Sequence, residues 1–107
     1  MMPNIGDIIE LITNIPEKTL SVGMRGVVVH SHGDDVYEIE FTNEEGETLD
    51  FTSLNKKNFM VIWKSETKQW IPIAEQTSSL ISEMPDDMAK QVLDFARFLF
   101  FRNCNTI

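Results

Sequence analysis

Basic residues are what this chain has least of. Nine Lys and Arg stand against 17 Asp and Glu in 107 residues, a formal net charge of -8, and neither Lys nor Arg occurs between Arg25 and Lys56. Binding to a phosphate backbone rests on Lys and Arg displacing counterions, so nucleic acid is not an expected partner and a basic protein surface is the better complement. A single cysteine, Cys104, leaves no intrachain disulfide and fits a reducing compartment. The apolar run Phe98-Leu99-Phe100-Phe101 is closed by Arg97 and Arg102, far short of the roughly 20 residues that a membrane span requires. The opening residues Met1-Met2-Pro3-Asn4-Ile5-Gly6-Asp7 contain an acid and no basic stretch, so no signal peptide is read and the cytoplasm is the expected location. Catalytic signatures are missing too: there is no P-loop, His-Glu-x-x-His, Cys-x-x-Cys or Gly-x-Ser-x-Gly pattern. Cys104 has no evident base beside it, and no enzyme or cofactor is expected.

What is present divides by periodicity. Up to about Trp70 apolar residues alternate or come in short β-branched runs, predicting strands over residues 7–12, 26–30, 36–42, 48–53 and 59–63. Five short strands in so small a segment suggest a half-open antiparallel barrel, which hides its edges without a covering helix. From Pro72 onward the period is helical. Ile73, Thr77, Leu80, Ile81 and Met84 lie on one stripe of a short helix, Pro85 breaks the chain, and Asp86 and Asp87 open a second helix where the dipole favours acids. The expected organisation is therefore α+β, a five-stranded barrel over residues 1–70 followed by a helical hairpin over residues 71–107, with the boundary in the polar stretch 65–69.

The second helix is apolar on nearly every face. Met88, Val92, Phe95, Ala96 and Leu99 follow the 3.6-residue period, while Leu93, Phe98, Phe100 and Phe101 fall outside it. One covering surface cannot bury all of these, and a helix apolar all round is normally enclosed by protein. Val92, Phe95, Phe98, Leu99 and Phe101 are therefore candidate interaction residues, for another protein or for a second copy of the chain.

The acids concentrate on the central hairpin, in Asp34, Asp35, Glu38, Glu40, Glu44, Glu45, Glu47 and Asp50. A three-residue loop Glu44-Glu45-Gly46 with Gly46 left-handed pairs Thr42 with Thr48, Phe41 with Leu49, Glu40 with Asp50 and Ile39 with Phe51. That register sets Glu38, Glu40 and Asp50 on one outer face, either a solvated surface or one that steers toward a basic partner. His30 and His32 share a strand face beside Asp34 and Asp35 and are the only weak metal candidates, a minor reading as a metal or small-ligand sensor.

Two resemblances are carried by particular residues. Gly6-Asp7-Ile8-Ile9-Glu10-Leu11, Ile15-Pro16-Glu17-Lys18, Gly23-Met24-Arg25-Gly26-Val27 and Tyr37-Glu38-Ile39-Glu40-Phe41 together resemble the bacterial family known as domain of unknown function 4926. The resemblance spans about residues 5–62; it implies an SH3-like small barrel and brings no catalytic residues. Met84-Pro85-Asp86-Asp87 with Gln91-Val92-Leu93-Asp94-Phe95-Ala96-Arg97-Phe98-Leu99 resembles the antitoxin-like helical family known as domain of unknown function 2281, with Met84 and Gln91 where Leu and Glu are usual. That implies a protein partner for the helix. The expected function is thus a non-enzymatic acidic binding module, antitoxin-like or immunity-like, that neutralises a basic toxin-like enzyme. The alternative is a homodimeric structural or regulatory module.

Overall fold

The computed structural model of the chain describes residues 2–105, and side chains as far as Arg102. Six strands form one open antiparallel sheet: β1 (Ile8–Leu11), β2 (Arg25–Gly33), β3 (Val36–Thr42), β4 (Thr48–Asn55), β5 (Phe59–Lys64) and β6 (Gln69–Trp70). Their order is β4-β3-β2-β1-β5-β6, so β4 and β6 are free edges. Two helices follow, α1 (Ile73–Ile81) and α2 (Asp86–Asn105). The chain divides into two compact units, residues 1–76 and 77–107. The architecture is α+β as expected, but the sheet has six strands rather than five and does not close into a barrel.

Alternation places Ile9 and Leu11, Val28, Tyr37, Ile39 and Phe41 on one face of the sheet, where they are buried together with Leu54, Phe59, Val61 and Ile71. Leu20 joins this core from the segment after β1, where a short 3-10 turn at Pro16–Lys18 is pinched by the Ile15–Leu20 bridge. Gly26 passes so close to β3 that a Cβ there would lie 2.6 Å from Ile39 Cγ2 and 2.9 Å from the Glu40 carbonyl oxygen. Only glycine allows β2 and β3 to meet over the core.

The sixth strand comes from the polar stretch 65–69. Its residues make the tight turn between β5 and β6, with Lys68 left-handed at φ 56°, and Trp70 pairs with Trp63. Two residues are too short a run to show a period, which is why the pattern did not reveal them.

The central hairpin has its expected loop, Gly46 at φ 81°, and its expected Thr42–Thr48 pair, but the rest of the register is displaced by one residue. Phe41 faces Asp50, Glu40 faces Phe51, Ile39 faces Thr52 and Tyr37 faces Leu54, with an irregularity between Phe41 and Thr42. Leu49 is the extra residue of a β-bulge. The displacement buries Thr52 and Leu54 and leaves Leu49 and Phe51 half-exposed. It also removes the Glu40–Asp50 opposition, a like-charge contact of about 0.2 to 1 kcal/mol. Matching apolar residues across the hairpin assumed an unbroken ladder, and the bulge breaks it.

In the second unit Pro85 precedes α2, and the Pro85 carbonyl accepts from Ala89 N–H at 2.9 Å. No side chain of α1, nor of α2 as far as Arg102, is fully buried. Among the described residues no helix is long and apolar enough to cross a membrane.

Candidate functional site

Directly opposed residues of a strand pair share a face, so Glu38 opposite Ser53 and Glu40 opposite Phe51 point to the outer side of the sheet. Both carboxylates are anchored by hydroxyls: Ser53 Oγ donates to Glu38 Oε1 at 2.6 Å and Thr48 Oγ1 to Glu40 Oε2 at 2.6 Å. The Ser53 hydrogen bond, helped by the nearby His32 and His30, holds the Glu38 carboxyl below its ordinary range against the opposing effect of burial. Glu38 is therefore ionised at neutral pH. Among the described residues neither Glu38 Oε2 nor Glu40 Oε1 accepts a hydrogen bond.

Asp50 does not belong to this pair. The displaced register turns it to the other face, opposite Phe41, where it accepts from Thr52 Oγ1 at 3.0 Å and lies 3.7 Å from Lys18 Nζ. The expected trio of Glu38, Glu40 and Asp50 thus reduces to a pair of glutamates. His30 stands opposite Glu38, its ring edge-to-face with His32 at 4.8 Å, and His32 Nε2 lies 3.4 Å from Glu38 Oε1. Among the described residues no group of three or more His, Cys, Asp or Glu is arranged to hold a metal ion.

Beside the free edge of β4 two shallow open depressions that share Glu17 and Lys18 make up a groove of mixed, mainly polar lining. Its far wall is the segment between β1 and β2, contributing Ile15, Leu20 and Met24, and its near wall includes Phe51 and Leu54. Lys18, reaching toward Asp50, crosses it.

On α2 the expected apolar residues are on the surface. Phe95 is 61%, Phe98 56% and Phe101 66% exposed, Leu99 is also exposed, and Val92 is half-buried. Phe95 and Phe98 stack with ring centroids 6.4 Å apart, and the Arg102 guanidinium lies 5.9 Å from the Phe98 ring centre. The three residues form a continuous ladder at i, i+3 and i+7 on one helix face. Cys104 lies outside the residues whose side chains are described.

The most elaborate polar constellation was not anticipated. Asp7, 0% exposed, accepts from Lys64 Nζ at 2.6 Å, Asn4 N–H at 2.8 Å, Ser65 N–H at 2.9 Å and Ser65 Oγ at 3.0 Å. Burial alone would raise its pKa, but these donors outweigh burial and hold the carboxyl below the ordinary range. Lys64 also donates to the Met2 carbonyl, and the single Ser65 hydroxyl proton is shared between Asp7 Oδ1 and the Ile5 carbonyl oxygen, each 3.0 Å away. Both carboxylate oxygens are taken by donors of the fold itself and the side chain is closed to solvent, so this is a latch joining the N-terminal turn to the β5–β6 turn. The signal available in the sequence was an acid directly before an apolar strand, a position where a charge needs a partner.

No curated protein and no solved structure matches the chain. The family model that does match, over residues 5–61, is described as Domain of unknown function (DUF4926). That span takes in β1 through β4 and the first half of β5, the latch aspartate, both outer glutamates and the groove, and the chain belongs to this family.

Proposed function

We propose that the chain is a non-enzymatic, cytoplasmic protein-binding module that holds a basic partner protein, in the manner of an antitoxin or immunity protein. The observation that carries this reading is α2: a helix whose Phe95, Phe98, Phe100 and Phe101 are all exposed. Each phenylalanine left in water forgoes about 1.5 to 3 kcal/mol of burial, and contiguous exposed apolar surface marks interaction sites. The resemblance of Met84 to Leu99 to antitoxin-like helices supports the same reading, and the acidic outer face with Glu38 and Glu40 favours a partner of positive charge. Tagged chain used as bait in an extract of its own cells should retain a basic protein. Phe98→Asp and the double reversal Glu38→Lys/Glu40→Lys should each release it. If both variants retained all that the wild type retains, the reading would be wrong.

A second reading draws on the Phe95–Phe98–Arg102 ladder. Two copies of such a face fit an isologous two-fold contact, making the chain a homodimer with α2 at its centre. Sedimentation at micromolar concentration separates the two: a dimer that Phe98→Asp converts to monomer supports self-pairing, and a wild-type monomer excludes it.

A further inference from the structure

The two sheet edges are not equivalent. β6 is two residues long, whereas β4 runs for eight, Thr48–Asn55. Native proteins blunt a long edge with lysine and other charges, proline, strong bulging, inward-pointing charges or a covering loop, and of these β4 has one inward charge, Asp50, engaged by Lys18 at 3.7 Å. β4 contains neither lysine nor proline, and its one irregularity lies at its beginning, beside Thr42 and Thr48. Among the described residues its backbone ladder is to β3 alone. The outward row of amide and carbonyl groups is therefore a template for another strand.

Resting on the reading of a basic protein partner, we propose that β4 docks an extended segment of that partner as a seventh strand, one that alternates Lys or Arg with apolar residues. The alternation follows from the two faces of the edge. On the outer side the incoming strand would lie beside Phe51 and Ser53, about 10 Å from β3 at two strand spacings, within the span of a long cationic side chain and a glutamate. Glu38 and Glu40 stand there, each with one carboxylate oxygen that takes no hydrogen bond among the described residues. On the inner side alternate residues would enter a groove of mixed lining, in which Ile15, Leu20, Met24 and Leu54 offer apolar contact between Glu17, Lys18, Asp50 and Asn58, so an apolar side chain is favoured only where it meets those four. Entry requires only that the exposed Lys18–Asp50 contact of 3.7 Å open, and such surface pairs hold weakly. A second copy of β4 is the poorer occupant. It would bring Glu38 and Glu40 of both molecules to one surface, with no Lys or Arg between Arg25 and Lys56 and only His32, 3.4 Å from Glu38, beside them. Main-chain hydrogen bonds would supply affinity, and the alternate side chains specificity.

The probe is a capped, fluorescein-labelled octapeptide of alternating arginine and valine, titrated into the full chain at low salt and followed by anisotropy. Binding with slowed amide exchange along Thr48–Asn55 is the expected result. N-methylation of one alternate set of peptide amides should weaken it at least about tenfold, N-methylation of the other set should leave it unchanged, and Glu38→Gln/Glu40→Gln should weaken it about tenfold. The proposal is overturned by an absence of binding, by equal binding of both N-methylated peptides, which would mean attraction by charge alone, or by β4 amides already protected in a peptide-free dimer. A chain that refuses the peptide yet still captures a protein through Phe98 would overturn the edge as docking place and leave the module reading intact.

Discussion

The sheet unit and the helical unit handle their side chains in opposite ways. In the first, Ile9, Leu11, Val28, Ile39 and Phe41 are sealed in a core, and the buried acid Asp7 has four donors around it. Among the described residues no buried polar side-chain atom goes without a partner. In the second, a 20-residue helix carries its largest apolar groups on the surface. The contrast separates what holds the fold from what is available for binding. Substitutions in the sheet interior should cost stability, while those on α2 should cost association.

The strongest way to press that contrast is the latch. Asp7→Ala leaves the Lys64 ammonium, itself mostly buried, without its anion, and breaking a buried pair in this way costs about 3 to 5 kcal/mol. Urea unfolding followed by circular dichroism should show the loss. The pH dependence has a definite sign. The folded-state pKa of Asp7 is depressed, so its contribution is complete above the unfolded-state value of about 3.9 and is lost as pH falls through the lower folded value. Wild type should therefore lose stability on acidification below about pH 4, and Asp7→Ala should lose less over the same interval.

A smaller effect is expected at Gly26→Ala. The added methyl would press on Ile39 and on the β3 backbone, an overpacking cost of about 1 to 3 kcal/mol, again measured by urea unfolding. Smallest of all should be Phe98→Asp, whose effect on unfolding of the sheet is expected within about 0.5 kcal/mol even where it abolishes association. A large loss of sheet stability in Phe98→Asp would break the comparison between the two units.

How far the sequence could be read tracks the range of the interactions. Strand β3 was predicted with its observed limits, and the glycine loop at Gly46, the break at Pro85 and the helix beyond it were all visible, because local alternation, turn chemistry and helical period set them. The β3–β4 register was not, because a bulge at Leu49 cannot be told from regular strand by pattern, and that one residue separated Asp50 from Glu38 and Glu40. Strand β6 was invisible because its pairing depends on Trp63 and Trp70 meeting across a turn. The Asp7–Lys64 pair joins residues 57 apart in the chain, a distance over which no periodicity speaks. On the candidate site, the pair of glutamates and the surface phenylalanines were legible, whereas the groove beside β4 required knowing which strand is left at the edge.

The place of β1 between β2 and β5 also bears on how the chain emerges from the ribosome. The β2–β3–β4 meander can form as soon as it has been synthesised, since its contacts are local and need small loop closures. β1, although made first, gains its second neighbour only when β5 arrives, and Asp7 meets its cation only once Lys64 has been translated. Release of residues 59–65 is thus the step that completes the sheet around β1, and a truncation upstream of Lys64 leaves the β2–β3–β4 meander without β5 and Asp7 without its cation.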